Sequence, residues 1–150
     1  MNEFSQYDVE HWMDDPNAVL PTEIETGRLA ELVFIGASGL FHQEASRRLL
    51  IRHGYWLKQQ PFLEFVTVFG KPPKFASIEW NNALEALDNG VLVADREEAS
   101  ILRIAGSIAT DYAVCLHYAT EAIDKENIKH VAEAIMYNDG FLDSVAEPRV

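Results

Sequence analysis

Residues 32–55 read L-V-F-I-G-A-S-G-L-F-H-Q-E-A-S-R-R-L-L-I-R-H-G-Y, and how they are read decides the fold. An apolar run, a turn of small residues and an amphipathic tail fit two architectures. In one, Leu32–Ile35 is a strand and Gly36-Ala37-Ser38-Gly39 presents backbone amides to a phosphate at the start of a helix. In the other, the small residues separate two helices or lie at a helix–helix crossing.

Written as G-A-S-G-x-x-G, the stretch resembles the opening of short-chain dehydrogenase-like proteins. That resemblance implies a small α/β nucleotide-binding enzyme, with Gly36, Ser38 and Gly39 as cofactor-binding residues and parallel strands at 31–35, 62–69 and 91–94. His42 occupies the last glycine position, where a side chain obstructs close helix–strand packing. No acid lies between Glu44 and Glu64 to hold a ribose. Two helices are therefore the expectation, and the α/β fold is the alternative.

Working outward, the flanks carry helical periodicity. Ile24, Leu29, Leu32, Val33, Gly36 and Leu40 recur at three- and four-residue steps behind Thr22, which with Glu25 reads as a capping box. Ala45, Leu49, Leu50 and Ile51 follow, and His53-Gly54 reads as a stop. Phe62, Phe65, Val66 and Phe69 have helical spacing behind Pro61, yet F-V-T-V-F is rich in strand formers. A helix is expected there, with a strand as the alternative. Gly70-Lys71-Pro72-Pro73 is a loop.

Ser77 is expected to cap a helix running through Leu84 and Leu87 to D-N-G at 88–90. Asp95, with Glu98 at the box position, opens an apolar face from Ile101 to Ala119, which predicts a long central helix over about 95–120. Asp124 caps a last helix, with Ile128, Val131, Ala132, Ile135 and Met136 on its face and Asn138 or Gly140 at its end. A short helix is expected around Phe4, Tyr7, Trp12 and Met13. The sum is an all-α, single-domain bundle of five to seven helices, with 1–21 and 142–150 as peripheral arms.

The net charge of −12 is unevenly spread. Residues 1–41 carry −7 and residues 75–150 carry −9, whereas residues 42–74 carry +4. The acidic ends repel nucleic acid and anionic membranes at long range. One cysteine, Cys115, excludes an internal disulfide and points to a reducing compartment. The N-terminal M-N-E-F-S-Q-Y-D-V-E has neither basic flank nor apolar run, so no signal peptide is expected. A cytoplasmic protein without a membrane span is the expectation.

No nucleophile motif, P-loop or H-E-x-x-H is present, so no catalytic residue is assigned. His117 and Glu121, Glu126 and His130, and His130 and Glu133 have metal-ligand spacing on a helix. These pairs fall on polar faces, so no metal or cofactor is expected. Glu79 and Glu85 have no evident place. The feature with most information is R-R-L-L-I-R-H-G-Y-W-L-K, where Arg47, Arg48, Arg52 and Lys58 accompany Tyr55 and Trp56. Arginine with aromatics is the composition of protein interface hot spots. Those six are the predicted partner-binding residues. The expected function is a non-enzymatic interaction or regulatory protein, acting through this segment and an acidic surface. Its partner is another protein or a second copy of the chain. An acidic decoy imitating nucleic acid is a further alternative.

The segments R-H-G-Y-W-L, A-S-I-E-W-N-N-A-L-E-A-L-D-N-G, E-A-S-I-L-R-I-A-G-S-I-A, D-K-E-N-I and A-I-M-Y-N-D-G resemble small bacterial helical proteins of no known activity, actinobacterial or carried on mobile elements. The similarity spans residues 50–141 and implies an all-helical domain without implying any chemistry.

Overall fold

The computed structural model describes residues 16–140. Leu32–Tyr55 folds as two helices and a turn. Helix α1 (Thr26–Ile35) ends at Gly36, and α2 (Phe41–His53) stops at Gly54, whose φ of +78° suits glycine. The small residues between them cannot cradle a phosphate, because their amides are already used. Gly36, Ala37 and Ser38 donate to Leu32, Phe34 and Ile35 carbonyls at 3.0–3.1 Å. Gly39 donates to the Glu44 carboxylate at 3.0 Å. The turn sits at a helix C-terminus, where carbonyls gather. Gly36, Ser38 and Gly39 are thus a helix break, and the nucleotide-loop alternative is wrong.

Thr22 does not cap α1. It lies in a 3-10 turn, Pro21–Glu23, and Glu25 accepts from the Gly27 and Arg28 amides at 3.0 and 3.1 Å. Extended backbone at Ile24 (φ −106°, ψ 137°) separates the turn from the helix.

The helix expected over 62–69 survives for one turn, α3 (Gln60–Leu63). Val66–Phe69 is strand β1, antiparallel to β2 (Phe75–Ile78), with Val66 opposite Ile78 and Phe69 opposite Phe75. The β-branched and aromatic residues prevail over the helical spacing because Val66 and Val68 alternate inward. Parallel strands are absent among the described residues, and 91–94 belongs to no sheet. Ser77 is a strand residue, so α4 (Trp80–Asp88) starts after Glu79 instead.

Helix α5 (Arg96–Ala109) opens with the expected capping box: Asp95 accepts from the Glu98 amide at 2.8 Å and Glu98 accepts from the Asp95 amide at 3.0 Å. It ends eleven residues short of the predicted 120. Thr110 is extended, and its hydroxyl donates to Gly106 O (2.8 Å) while accepting from the Tyr112 amide (3.1 Å), which turns the chain away. A short α6 (Leu116–Ala119) follows. Asp124 then caps α7 (Lys125–Asn138), and Gly140 takes positive φ at its end, as the sequence suggests.

The fold is mostly helical: seven α-helices and one two-stranded hairpin among the described residues. One core joins Leu29, Leu32 and Val33 of α1 to Leu49 and Leu50 of α2 and Ile101, Leu102 and Ile104 of α5, closed by Trp56 and Phe62. Helix α5 packs on α2 and α4, α7 covers the other flank of α2, and α1 lies on β2. Where α4 approaches α5, Leu84 packs onto Gly106, and a Cβ there would lie 2.5 Å from Leu84 Cδ1 and displace that side chain. Residues 16–21 are no loose arm. Pro16 bridges to Phe69, the Val68 amide donates to Asn17 Oδ1 at 3.1 Å, and Pro21 is buried. The expected helix around Phe4–Met13 and the segment 142–150 lie outside the described residues. No described helix is long and apolar enough to cross a membrane.

Candidate interaction surface

The six predicted partner-binding residues divide between core and surface. Arg47 is 5% exposed. Its Nη1 donates to Val33 O at 2.8 Å and Ala76 O at 3.1 Å, and its Nη2 donates to Gln43 Oε1 at 3.2 Å. No carboxylate among the described residues pairs with it, and burial pulls its pKa down to about 10. Gln43 extends this network: its Oε1 accepts from Trp80 Nε1 (3.2 Å) and its Nε2 donates to Ala109 O (3.1 Å). One arginine and one glutamine thus tie α1, α2, β2, α4 and the end of α5 together. Gly36 makes room for the clasp, since a Cβ there would overlap Ala76 O and approach Arg47 Nη1 to 2.9 Å.

Trp56 is also a core residue, 1% exposed, and its Nε1 donates to Glu98 O at 2.9 Å. Arg47 and Trp56 are therefore removed from any partner-binding surface. Their side chains are consumed in satisfying buried carbonyls and filling the core.

The other four residues reach solvent. Tyr55 is half-buried, edge-on to Trp56, with a phenol pKa raised by burial and then by Glu98. Lys58 is exposed. Arg48 lies over the Tyr137 ring at 5.2 Å, and Arg52 reaches Glu133 of α7 at 3.4 Å. Arg48 and Arg52, one helical turn apart, rim an open groove of about 480 Å³ between α1 and α2. Ala30, Phe34, Ile35 and Ile51 line it together with Glu31, whose carboxylate pairs with Arg28 at 3.0 Å, and Ile35 is 48% exposed. Helix α1 therefore has two apolar sides. Leu29, Leu32 and Val33 face the core, and Phe34 and Ile35 face the groove. The periodicity missed the second side, although two large apolar residues off the core stripe were its signal.

The metal-spaced pairs are not assembled into a site. His117 and Glu121 form an exposed pair at 3.8 Å, Glu133 turns to Arg52, and no three candidate ligands converge among the described residues. His130 faces His53 across α2 and α7. The Nδ1 atoms of both are buried without a partner, and burial lowers the His53 pKa against the opposing pull of Glu97, Glu98 and Asp95. Cys115 is exposed rather than buried on a long helix, because α5 ends before it. Glu79 holds the Asn82 amide at 2.8 Å.

The acidic residues also have structural uses. Glu97 accepts from the Asp124 amide (2.8 Å) and from Asn127 Nδ2 (3.1 Å), and Glu44 accepts from Tyr137 Oη (2.8 Å). Compared with protein-family models, curated proteins and solved structures, the chain matches none.

Proposed function

We propose that this chain is a non-enzymatic interaction protein whose α1–α2 groove receives an acidic amphipathic helix from a partner protein. The observation that carries the reading is Arg48. It is a cation with no carboxylate partner among the described residues, at the rim of an apolar groove, on a chain of net charge −12. The volume is within the range that encloses one or two large side chains. A helix offering apolar anchors at i, i+3 and i+4 with acids beside them satisfies the groove and Arg48, and competes with Glu133 for Arg52. The acids elsewhere set long-range repulsion of anionic surfaces, which leaves the groove to select by contact.

The test is affinity capture on the immobilised full chain from its native host, with Arg48→Glu/Arg52→Glu and Ile35→Glu as matched baits shown to be folded at the assay temperature. A partner retained by the wild type, lost by about tenfold or more on both variants, and mapped to an acidic amphipathic helix is the expected result. Equal retention on all three baits, or no retained partner, refutes it. A second copy as the occupant would appear in ultracentrifugation as a dimer abolished by the same substitutions.

A further inference from the structure

A second cleft lies along α5, with a volume of about 690 Å³. Its two walls are stretches of chain outside any helix or sheet, 92–95 and 112–115. Each alternates in exposure along its length: Leu92, whose amide closes the turn onto Ala86 O at 3.1 Å, is buried while Val93 is exposed, and Ala113 and Cys115 are exposed while Tyr112 and Val114 are half-buried. Cys115 has extended backbone (φ −95°, ψ 108°), and so does Asp95 (φ −77°, ψ 178°). The amides of Val93, Ala94, Ala113, Val114 and Cys115 have no hydrogen-bond partner among the described residues. Val93 is 83% exposed.

Between these walls the floor is one face of α5, with Arg96, Ala99, Ser100 and Arg103 at helical spacing. The two ends of the floor differ in how their arginines are paired. Arg103 is committed to Asp88 through Nε and Nη2, both at 3.1 Å, and Tyr112 Oη closes the same carboxylate at 3.0 Å. Arg96 has only an exposed pairing with Glu121 at 3.2 Å, which is weak and exchangeable.

We propose that this cleft binds an extended segment of a partner protein that completes a short sheet with the two walls and places an acidic side chain on Arg96. Unpaired, strand-like backbone on both sides of a trough is a template for strand addition, in which main-chain hydrogen bonds supply affinity and alternate side chains supply specificity. Inward side chains of the segment meet the apolar part of the lining, Ala99 of the floor with Leu87 and Leu92 beside it. Its acid replaces Glu121 on Arg96. The segment spans about four residues, the length of either wall at ~3.3 Å per residue. This site is separate from the α1–α2 groove and does not depend on it.

The experiment pans a phage-displayed library of random decapeptides on the full chain and remakes the enriched sequences synthetically. The expected sequences alternate β-branched or aromatic residues and carry an acid at one end. Binding should fall at least about tenfold with Arg96→Glu, and by a similar factor when alternate peptide amides are N-methylated, a change that leaves the protein untouched. Amide exchange should slow on binding at alternate residues of each wall, at Val93 or Ala94 on one side and at Ala113 and Cys115 or Val114 on the other. Failure to enrich any peptide overturns the proposal, as does binding indifferent to N-methylation or to Arg96→Glu. Peptides displaced by Arg48→Glu instead belong to the α1–α2 groove and equally overturn it.

Discussion

Gly36→Ala is the substitution on which local propensity and tertiary packing disagree in sign. Gly36 has ordinary right-handed geometry, φ −64° and ψ −15°, at the end of α1. An alanine there is sterically allowed by the backbone and removes unfolded-state entropy, which alone would stabilise by about 0.4–1 kcal/mol. The surroundings demand the reverse. The added Cβ would overlap the Ala76 carbonyl oxygen, lie 3.0 Å from its carbon and stand 2.9 Å from Arg47 Nη1. Relief requires α1 and β2 to separate, and the Arg47 bonds to Val33 O and Ala76 O stretch with them. Overpacking costs about 1–3 kcal/mol, and a buried carbonyl left unsatisfied costs a similar amount. The sum is a loss of about 3 kcal/mol, or roughly 10 °C in melting temperature for a chain of this size. Thermal unfolding followed by circular dichroism at 222 nm measures it. A midpoint unchanged or raised would show that α1 does not press on β2, and the buried clasp would fall with it.

Gln43→Leu should destabilise by about 2–4 kcal/mol in urea unfolding, because Trp80 Nε1 and Arg47 Nη2 lose their acceptor inside the protein. Asp95→Ala removes one half of the α5 capping box and should cost about 1 kcal/mol, read as a melting shift of a few degrees. His53 gives a pH dependence. Its pKa is lowered on folding, so the unfolded chain binds the extra proton. The stability it contributes is complete above pH 6.5 and declines as pH falls through 6.5 toward the folded value. The His53→Gln variant should show a shallower decline of the urea midpoint in that window, and an identical slope would exclude this role.

Capping signals carried most of what the sequence disclosed. Asp95, Asp124, Gly54 and Gly140 mark helix ends through bonds or backbone angles set within four residues, so no distant contact is needed to read them. The hairpin was harder. Phe62, Val66 and Phe69 satisfy a helical period and a strand's composition at once, and what decides is β2, beyond Gly70 and two prolines. The overlong central helix failed for a related reason. Tyr112, Cys115 and Leu116 keep helical spacing, but the Thr110 side chain captures the backbone and bends the chain first.

The arginine block was legible only in part. Arg48 and Arg52, four residues apart, had to share a face. That Arg47, about 100° away on the same helix, points inward depends on carbonyls donated by α1 and β2, which no local pattern displays. Much of the acidity likewise went into caps and inter-helix bonds, through Glu25, Asp95, Glu97, Glu98 and Asp124, rather than into a charged face alone.

The division of the arginines is tested most directly by melting Arg47→Gln beside Arg48→Gln/Arg52→Gln. Loss of the buried clasp should lower stability by about 2–4 kcal/mol, whereas loss of one ring contact and one exposed ion pair should lower it by about 1 kcal/mol or less. Equal midpoints, or a greater loss in the double variant, would contradict an inward Arg47 and an outward pair at the groove.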